Sequence, residues 1–241
     1  MPIAIVTGAS QGLGRSVSIG LARQGWSLVI DARTPSDLSE VEAELAPELA
    51  DGASVVAVVG DVTDADHRRR LVAAAGALGG IDLVINNAST LGVSPLPSLA
   101  AHPLAALRRV YEVNVIAPVA LLQEALALLR RSPDPRVVNV TSDAAVEAYE
   151  GWGGYGSSKA ALDHVSAVLA AEEPTVRVWA VDPGDMRTKM HQDAFAGEDI
   201  SDRPEPDSVV PALLDLVAGP RPSGRYRAAD LALASTGGDR S

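Results

Sequence analysis

The sequence predicts an α/β fold, in which a doubly wound and mainly parallel sheet of seven strands carries helices on both faces. Short apolar runs alternate along the chain with longer segments whose apolar residues recur at helical spacing. The runs are almost continuously apolar, as is typical of parallel strands buried between two layers of helices. Because the chain has 241 residues and no internal repeat, we expect a single domain in which residues 232–241 form a frayed tail.

Composition excludes several classes of protein. The formal net charge of −11 argues against binding to nucleic acids or anionic membranes, because both need a basic surface. The chain has no cysteine and its four histidines lack metal-ligand spacing, so we expect no disulfide and no metal site. The N-terminal apolar run is too short for a signal peptide, and no apolar stretch approaches the length of a membrane span. We therefore expect a cytoplasmic protein.

Strands and helices are predicted to alternate from the N-terminus. In the first half, the predicted strands are Ile3–Thr7, Trp26–Ile30, Ser54–Val59 and Ile81–Asn86, and the predicted helices are Leu13–Gln24, Pro35 to about Ala50 and about Asp64 to Leu78. In the second half, the predicted strands are Val137–Val140, Val176–Asp182 and Ser223–Arg227, and the predicted helices are Leu104–Arg131, one that carries Tyr155 and Lys159, and about Asp207 to Val217. Residues 185–207 are predicted to be a loop, and long loops in compact domains are often lids.

A glycine-rich turn follows the first predicted strand, in the segment Thr7-Gly-Ala-Ser-Gln-Gly-Leu-Gly14. Gly8 permits a tight turn, and Gly12 lets backbone N–H groups approach a pyrophosphate at the N-terminus of the next helix. A lone glycine triplet is a weak signal, but a strand, a glycine turn and a helix in this order are typical of dinucleotide binding. We therefore expect residues 1 to about 90 to hold a dinucleotide cofactor.

The end of the second predicted strand should decide which dinucleotide binds. An acidic side chain there holds the ribose 2′-hydroxyl of NAD, whereas an arginine accepts the 2′-phosphate of NADP. The segment Asp31-Ala-Arg33 offers both. The choice therefore depends on whether Asp31 or Arg33 points toward the cofactor.

The chemistry is predicted to lie in the second half of the chain, between about residues 91 and 231. Ser142 follows an apolar strand, which places its hydroxyl at the carboxyl end, where open α/β sheets bind ligands. Tyr155 and Lys159 are four residues apart on a predicted helix and so share one face. An ammonium group beside a phenol lowers the pKa of the phenol, so Tyr155 could exchange a proton with a substrate oxygen that Ser142 holds.

The role of Asn114, and that of the pair Asp61-Val62, is left open by the sequence. Asn114 lies between Val113 and Val115 in an otherwise apolar helical register, and polar residues inside helices usually bond to nearby backbone, so alone it is as readily structural as functional. Asp61 and Val62 end the third predicted strand. We expect these two residues to lie at the adenine edge of the cofactor.

Taken together, these residues resemble the short-chain dehydrogenase/reductase family, whose fold is a Rossmann sheet. The resemblance covers Ile3 to about Met190 and rests on Thr7-Gly-x-x-x-Gly-x-Gly14, Asp61-Val62, Asn86-Asn87-Ala88, Ser142 with Tyr155-x-x-x-Lys159, and Pro183-Gly184 with Thr188. It implies that Tyr155 is the general acid/base and that Ser142 orients the substrate. It also implies that Lys159 lowers the pKa of Tyr155 and holds the nicotinamide ribose, and that Asn114 holds a water in a proton relay to Lys159.

The resemblance further implies NADP, used as NADPH, as the cofactor. Ala32 falls where NAD-dependent members carry aspartate, and Arg33 falls where NADP-dependent members carry a basic residue that can bind a phosphate through two hydrogen bonds. The expected cofactor-binding residues are Gly8, Ser10, Gln11, Gly12, Leu13, Gly14, Arg33, Asp61, Val62, Asn87, Ala88, Tyr155, Lys159, Pro183, Gly184, Met186 and Thr188.

The leading prediction is an NADPH-dependent carbonyl reductase that converts a ketone or aldehyde to an alcohol. Its substrate pocket should be formed by Thr90–Pro97, Asp143–Gly154 and residues 185–207. The large side chains in these segments, which suggest a flat or apolar substrate, are Tyr149, Trp152, Met186, Met190 and Phe195. The alternatives are a ketoacyl-carrier reductase, an NAD-dependent alcohol dehydrogenase and a non-catalytic NADP-binding regulator. In the first of these, Arg108-Arg109 and Arg130-Arg131 would dock an acidic carrier domain.

The resemblance also bears on assembly. The C-terminal segment lacks the glycine-rich valine strand that usually closes these domains and helps to build a tetramer. We therefore expect a homodimer, formed through the helix that contains Asn114 and the helix that contains Tyr155. A tetramer remains the alternative.

Overall fold

The computed structural model describes residues 1–236, with the side chains of residues 1–232. Seven strands form one sheet in which every neighbouring pair is parallel. The strands are β1 (Ile3–Val6), β2 (Ser27–Ala32), β3 (Val55–Val59), β4 (Leu83–Asn86), β5 (Arg136–Val140), β6 (Arg177–Asp182) and β7 (Gly224–Arg227). The predicted seven-stranded α/β fold is confirmed.

The order of the strands, β3-β2-β1-β4-β5-β6-β7, places the site. From β1 the chain continues outward through β2 to β3 and then returns to the other side of β1 with β4. The connections that leave β1 and β4 therefore diverge at the carboxyl edge of the sheet and open a crevice there. Ligands of open α/β sheets bind in such a crevice.

Helices cover both faces of the sheet. They are α1 (Gly12–Arg23), α2 (Pro35–Leu45), α3 (Ala65–Leu78), α4 (Leu104–Tyr111), α5 (Ala117–Leu129), α6 (Gly153–Glu172), α7 (Lys189–Ala194), α8 (Val210–Ala218) and α9 (Ala228–Thr236). Alternate strand residues point to opposite faces, so Ala4 and Val6 pack toward α1, α2 and α8, whereas Ile3 and Ile5 pack toward α3 and α5. Two apolar layers result, one on each side of the sheet.

The structure differs from the sequence prediction in two segments. Residues 185–207, predicted to be a loop, contain α7, because Thr188 caps this helix by accepting a hydrogen bond from the His191 N–H at 3.1 Å. The predicted frayed tail, residues 232–241, is helical up to Thr236 as part of α9, and residues 237–241 lie outside the described part of the chain.

One helical segment also has the length of a membrane span. Helices α4 and α5 are joined by a π-helical turn, Glu112–Ile116, into a continuous helix from Leu104 to Leu129, which by length and composition could cross a bilayer. The expectation that no stretch approaches this length was therefore wrong. Half of its most apolar window is buried inside the fold, where Leu121, Leu122 and Ala125 pack with α3 and the sheet. This packing accounts for the buried half of the window.

Candidate active site

A cavity of about 560 Å³ lies at the carboxyl edge of the sheet and gathers nearly all of the predicted site residues. The predicted residues that line it are Gly8, Ser10, Gln11, Gly12, Leu13, Arg33, Asp61, Val62, Asn87, Ala88, Ser142, Tyr155, Lys159, Pro183, Gly184, Met186 and Thr188. Gly14 and Asn114 lie behind its wall. The cavity also collects the large side chains predicted for the substrate pocket, from Tyr149 to Phe195.

The glycine turn has the backbone shape that a bound phosphate requires. Gly8 and Gly12 have φ angles of +66° and +54°, which side chains other than glycine rarely adopt. Gly14 is helical, but a Cβ atom there would lie 2.4 Å from the Gly8 carbonyl oxygen, so this glycine lets α1 pack close to the turn. Helix α1 begins at Gly12, and its first N–H groups have no partner within the helix. The turn therefore fits the pyrophosphate of a dinucleotide.

Asn87 holds the glycine turn in place. Its Nδ2 donates to the carbonyl oxygens of Thr7 and Gly8, at 2.9 and 3.0 Å, and its backbone N–H donates to the Thr7 hydroxyl at 3.0 Å. The sequence predicted this residue as a direct cofactor ligand. The structure shows that its side-chain amide is already bonded to the turn, so it supports the turn from β4.

The end of β2 distinguishes the two candidate side chains. Asp31 is only 1% exposed, and its Oδ1 accepts the Gly8 N–H at 2.6 Å while its Oδ2 bonds to His67 Nε2 at 2.8 Å. Burial raises the pKa of Asp31, and the hydrogen bonds from His67 and Gly8 act in the opposite direction. Arg33 is exposed in the cavity, and within residues 1–232 it forms no hydrogen bond or ion pair. Arg33 is thus the side chain that is available to a 2′-substituent.

Asp61 is held by the protein. Its Oδ2 pairs with Arg109 Nη2 at 2.5 Å, and its Oδ1 accepts hydrogen bonds from the backbone and hydroxyl of Thr63 at 2.9 and 2.8 Å. Burial raises the pKa of Asp61, but these bonds to Thr63 and Arg109 outweigh it, so the net shift is downward. The sequence placed Asp61 at the adenine edge but did not predict its ion pair with Arg109, which lines the same cavity.

Tyr155 and Lys159 lie together on α6, at the inner end of the cavity. Both are buried, and Lys159 Nζ donates to the Val140 carbonyl oxygen at 2.8 Å and lies 5.4 Å from the centre of the Tyr155 ring. Burial lowers the pKa of Lys159 to about 8, opposed by Asp163. Burial raises the pKa of Tyr155, whereas the hydroxyls of Ser89 and Ser142 act to lower it.

The expected effect of Lys159 on the phenol is therefore not the dominant one. From the sequence, the Lys159 ammonium group four residues away was expected to lower the pKa of Tyr155. In the structure, the upward effect of burial on this pKa is the largest one, and Lys159 directs its Nζ to a backbone carbonyl on β5. Tyr155 is accordingly a neutral phenol, which is a proton donor.

Ser142 has an acidic neighbour, Asp143, which the sequence analysis placed in the substrate pocket but did not connect to the serine hydroxyl. The Ser142 hydroxyl donates to Asp143 Oδ1 at 2.8 Å, and the Tyr149 hydroxyl donates to Asp143 Oδ2 at 2.9 Å. Burial raises the pKa of Asp143, but the bonds from Ser142 and Tyr149 outweigh it and lower the pKa overall. The residue follows Ser142 directly, but the sequence does not show that its carboxylate turns back to the serine hydroxyl.

Asn114 connects the cavity wall to α6. Its Oδ1 accepts from the Thr90 N–H at 2.9 Å and the Ser89 hydroxyl at 3.2 Å, and its Nδ2 donates to the Thr90 carbonyl and the Ser158 hydroxyl, both at 3.0 Å. Its side-chain partners thus lie outside its own helix. The residue lies in the π-helical turn, a rare geometry that often marks functional sites.

The outer part of the cavity is lined by aromatic rings. Trp152 meets Tyr155 edge to face at 5.7 Å between centroids and lies 5.9 Å from Phe195, which in turn packs on His191 at 4.7 Å. His191 Nδ1 is 3.9 Å from the Asp185 carboxylate, and His191 Nε2 is buried with no hydrogen-bond partner among the described residues. This part of the cavity therefore presents aromatic faces to whatever binds there.

The other charged side chains do not form a second centre. Within residues 1–232, no group of three or more His, Asp or Glu side chains could hold a metal ion. Arg109 pairs with Asp61, and Arg130 pairs with Glu173. Each of the two arginine pairs predicted for carrier docking therefore has one member neutralised by a carboxylate of this chain.

A Rossmann sheet with a glycine turn after β1, and with Ser142, Tyr155 and Lys159 at the inner end of one cavity, defines a dinucleotide-dependent oxidoreductase. The family model for short chain dehydrogenases matches residues 2–199. The chain therefore belongs to the short-chain dehydrogenase family, as the sequence motifs predicted.

Relatives and solved structures agree with this assignment. Mouse sepiapterin reductase is 35% identical over 200 residues, which are 79% of this chain and 76% of that protein. The 3-oxoacyl-[acyl-carrier-protein] reductase of rhamnolipid biosynthesis from Pseudomonas aeruginosa is 34% identical over 78% of this chain and 74% of its own length. A short-chain dehydrogenase from Shigella flexneri, crystallised with NADP, superposes with a TM-score of 0.86 at 27% identity, over 95% of this chain and 97% of that one.

Proposed function

We propose that this protein is an NADPH-dependent carbonyl reductase that reduces a ketone or aldehyde to an alcohol. The observation that carries the proposal is the layout of one cavity: a protonated, buried Tyr155 at its inner end and an unpaired Arg33 at its β2 end. Between them lies the glycine turn, whose shape fits the pyrophosphate. We also propose, from the negative charge and the absence of cysteine, that the enzyme acts in the cytoplasm.

NADPH, when bound, supplies the hydride that the carbonyl carbon receives. Tyr155 donates its phenolic proton to the carbonyl oxygen, so that ketone, hydride and proton together give the alcohol. The raised pKa keeps the phenol protonated before transfer. The Lys159 ammonium then stabilises the phenolate that remains.

Ser142 holds the substrate oxygen beside Tyr155. Both residues line the cavity, and the Ser142 hydroxyl acts to lower the pKa of Tyr155, which supports this placement. Because the Ser142 proton is directed to Asp143, the serine must rotate this proton toward the carbonyl oxygen when substrate binds. Asn114 keeps Ser89, Thr90 and Ser158 fixed behind the phenol.

The proposed substrate class is a ketone attached to a planar ring system. Trp152 and Phe195 offer aromatic faces at the open end of the cavity, and the His191 ring packs on Phe195 beside them. The carboxylates of Asp143 and Asp185 also line the cavity and disfavour an anionic substrate. A relative of this chain is named sepiapterin reductase, which supports a reductase activity. Because the cavity lining is aromatic, aromatic ketones are the first compounds to assay.

Reduction of a ketoacyl group on a carrier protein is the second candidate, supported by the Pseudomonas relative. The ion pairs of Arg109 and Arg130 leave fewer free cations for an acidic carrier domain.

An NAD-dependent alcohol dehydrogenase would need a carboxylate that faces the ribose, and Asp31 has both oxygens engaged. A regulator without catalysis would have no use for a buried phenol beside Ser142.

The cofactor part of the proposal is tested by titrating the protein with NADPH and with NADH and following the fluorescence of the nicotinamide. We expect NADPH to bind at least about tenfold more tightly, a difference of about 1.4 kcal/mol. Arg33→Ala should weaken NADPH binding by about this factor and leave NADH binding nearly unchanged. Arg221→Ala, which removes a surface arginine outside the cavity, is the matched control. Equal affinity of the wild-type protein for both dinucleotides would contradict the proposal.

A further inference from the structure

A buried chain of hydrogen bonds runs from α3 to the glycine turn. Arg70 Nη2 lies 3.3 Å from His67 Nδ1, His67 Nε2 lies 2.8 Å from Asp31 Oδ2, and Asp31 Oδ1 accepts the Gly8 N–H at 2.6 Å. His67 is fully buried and Asp31 is 1% exposed. The chain thus joins a surface arginine to the turn expected to hold the pyrophosphate, and the reductase mechanism uses neither His67 nor Arg70.

The geometry fixes the direction of each bond. Arg70 is always a donor, so Nδ1 of His67 must accept, and the proton of the imidazole then resides on Nε2, which donates to Asp31. Asp31 receives one donor on each carboxylate oxygen. Its backbone carbonyl also accepts the Ala9 N–H at 2.9 Å, so side chain and backbone of this one residue both bond to the turn.

The imidazole ring is locked in this position by the end of β3. Arg70 Nη2 is also bound to the Val59 carbonyl oxygen, at 3.2 Å. A Cβ atom at Gly60 would lie 2.2 Å from His67 Nδ1, so the ring fits against the backbone only because residue 60 is glycine. The ring therefore cannot rotate away from Asp31 without moving β3 or α3.

We propose that His67 is a positioning residue that sets the choice of dinucleotide by holding the Asp31 carboxylate away from the ribose. Asp31 and Arg33 line the same cavity, two residues apart at the end of β2. A carboxylate there that lacked its partners would accept a hydrogen bond from the 2′-hydroxyl of NADH and repel the 2′-phosphate of NADPH. With His67 in place, both oxygens of the Asp31 carboxylate are hydrogen-bonded within the protein, and Arg33 is the side chain that can bind the 2′-phosphate. The inference rests on the proposed use of NADPH.

The test measures dissociation constants for NADPH and NADH, by nicotinamide fluorescence, in a set of variants. His67→Leu removes the donor to Asp31, and we expect the ratio of NADH to NADPH dissociation constants to fall at least about tenfold. His67→Gln, whose Nε2 can still donate to Asp31, should restore most of that ratio. His102→Leu, which removes another buried histidine, should leave the ratio within about twofold of wild type.

A double variant separates a freed carboxylate from general damage to the fold. Asp31→Ala loses the bond to Gly8, which lies in the turn that both dinucleotides share, so both affinities should fall together and the ratio should stay within about threefold of wild type. Adding His67→Leu to Asp31→Ala should then change the ratio no further, because no carboxylate remains to be released. Thermal unfolding of each variant shows whether it is folded.

The outcomes are distinct. A His67→Leu protein that keeps the wild-type ratio, or a double variant with a ratio as low as that of His67→Leu, overturns the inference. If His67→Leu does not fold, Asp31→Ala alone decides. A selective loss of NADH affinity that raises the ratio beyond about threefold shows that the native carboxylate already acts on the cofactor, and this also overturns the inference. If the wild-type protein does not prefer NADPH, by contrast, the proposed function itself is wrong, and this result is obtained before any variant is made.

Discussion

At the scale of single residues, burial decides the protonation of the reacting groups. Tyr155 and Lys159 are both desolvated, which raises the pKa of the phenol and lowers the pKa of the ammonium to about 8. Although the two pKa values shift in opposite directions, both shifts favour the uncharged form of the side chain. A protonated phenol is suited to donate to a carbonyl, and the charge on Lys159 becomes sensitive to pH in the range where enzymes are assayed.

The pH dependence of reduction follows from Lys159. The ammonium form is needed to stabilise the phenolate, so kcat for carbonyl reduction should fall as pH rises through about 8. Lys159→Arg should move this fall to higher pH, because a guanidinium stays protonated throughout the range. The measurement is kcat against pH at saturating cofactor and substrate. A wild-type profile that stays flat to about two units above the pKa of Lys159 would contradict this role.

Motif spacing located the proposed catalytic residues, but it did not reveal where the Asp31 side chain points. Motif spacing found Ser142, Tyr155 and Lys159, and the structure brings them to one cavity. The same reasoning could not tell that Asp31 turns inward to Gly8 and His67. That outcome depends on α3, whose residues are more than thirty positions away along the chain, and on a glycine at position 60 that admits the imidazole.

At the scale of elements, the π-helical turn between α4 and α5 is the feature that the periodic pattern did not reveal. A helix from Leu104 to Arg131 was predicted, and the structure has a continuous helix from Leu104 to Leu129. The inserted turn, Glu112–Ile116, carries Asn114, whose side chain bonds to the loop after β4 and to α6. Hydrophobic spacing reports the buried face of a helix and is insensitive to one widened turn.

Asn114→Ala should lower both stability and activity. It leaves the Thr90 backbone groups and the Ser158 hydroxyl without their amide partner, which should reduce the free energy of unfolding by about 1–3 kcal/mol, measured in urea. Asn139→Ala is the control, because Asn139 is equally buried and bonds to Asn86 and Ser166 away from the cavity. We expect it to lose similar stability with kcat retained. Equal kcat losses in both variants would show that Asn114 acts on stability alone.

Helix α7 lies in a segment whose composition predicted a loop. The segment 185–207 is rich in residues that favour loops, yet the cap from Thr188 and the packing of Phe195 against His191 and Trp152 order six residues as a helix. Propensity is a weak prior when a short element is stabilised by tertiary contacts. The predicted position of this segment over the site is consistent with Met186, Met190 and Phe195 lining the cavity.

At the scale of the whole molecule, the alternation of strands and helices was sufficient to predict the sheet. All seven strands lie within a few residues of their predicted bounds. Strands β1 to β6 are mainly apolar runs, as parallel strands between two helical layers usually are, whereas β7 has the sequence Gly-Arg-Tyr-Arg and is only partly buried. The C-terminal helix α9 was missed, since its apolar residues follow the last strand directly with no separating turn signal. The sheet does not determine the oligomeric state of the protein.

We propose that the protein forms a homodimer through α4, α5 and α6. Leu104, Ile116 and Val168 are large apolar residues of these helices and their π-helical turn that remain 65%, 50% and 40% exposed. Ile116→Asp should therefore shift the protein toward a monomer in sedimentation or size-exclusion experiments, because it places a charge in the interface. Val59→Asp, at an exposed apolar residue on β3, is the control. An unchanged dimer in the Ile116 variant would contradict this interface, and a tetramer in the wild type would require a second one.

In the proposed reaction, Tyr155 protonates a carbonyl oxygen while NADPH is oxidised. The most direct measurement follows the absorbance of NADPH in the presence of an aromatic ketone, with wild-type protein, Tyr155→Phe and, as a control, Tyr226→Phe, whose hydroxyl bonds to Pro222 outside the cavity. We expect ketone-dependent NADPH oxidation by the wild type and the control, and a fall in kcat of at least about a hundredfold in Tyr155→Phe with NADPH binding retained. A Tyr155→Phe protein that turns over at the wild-type rate would contradict the account.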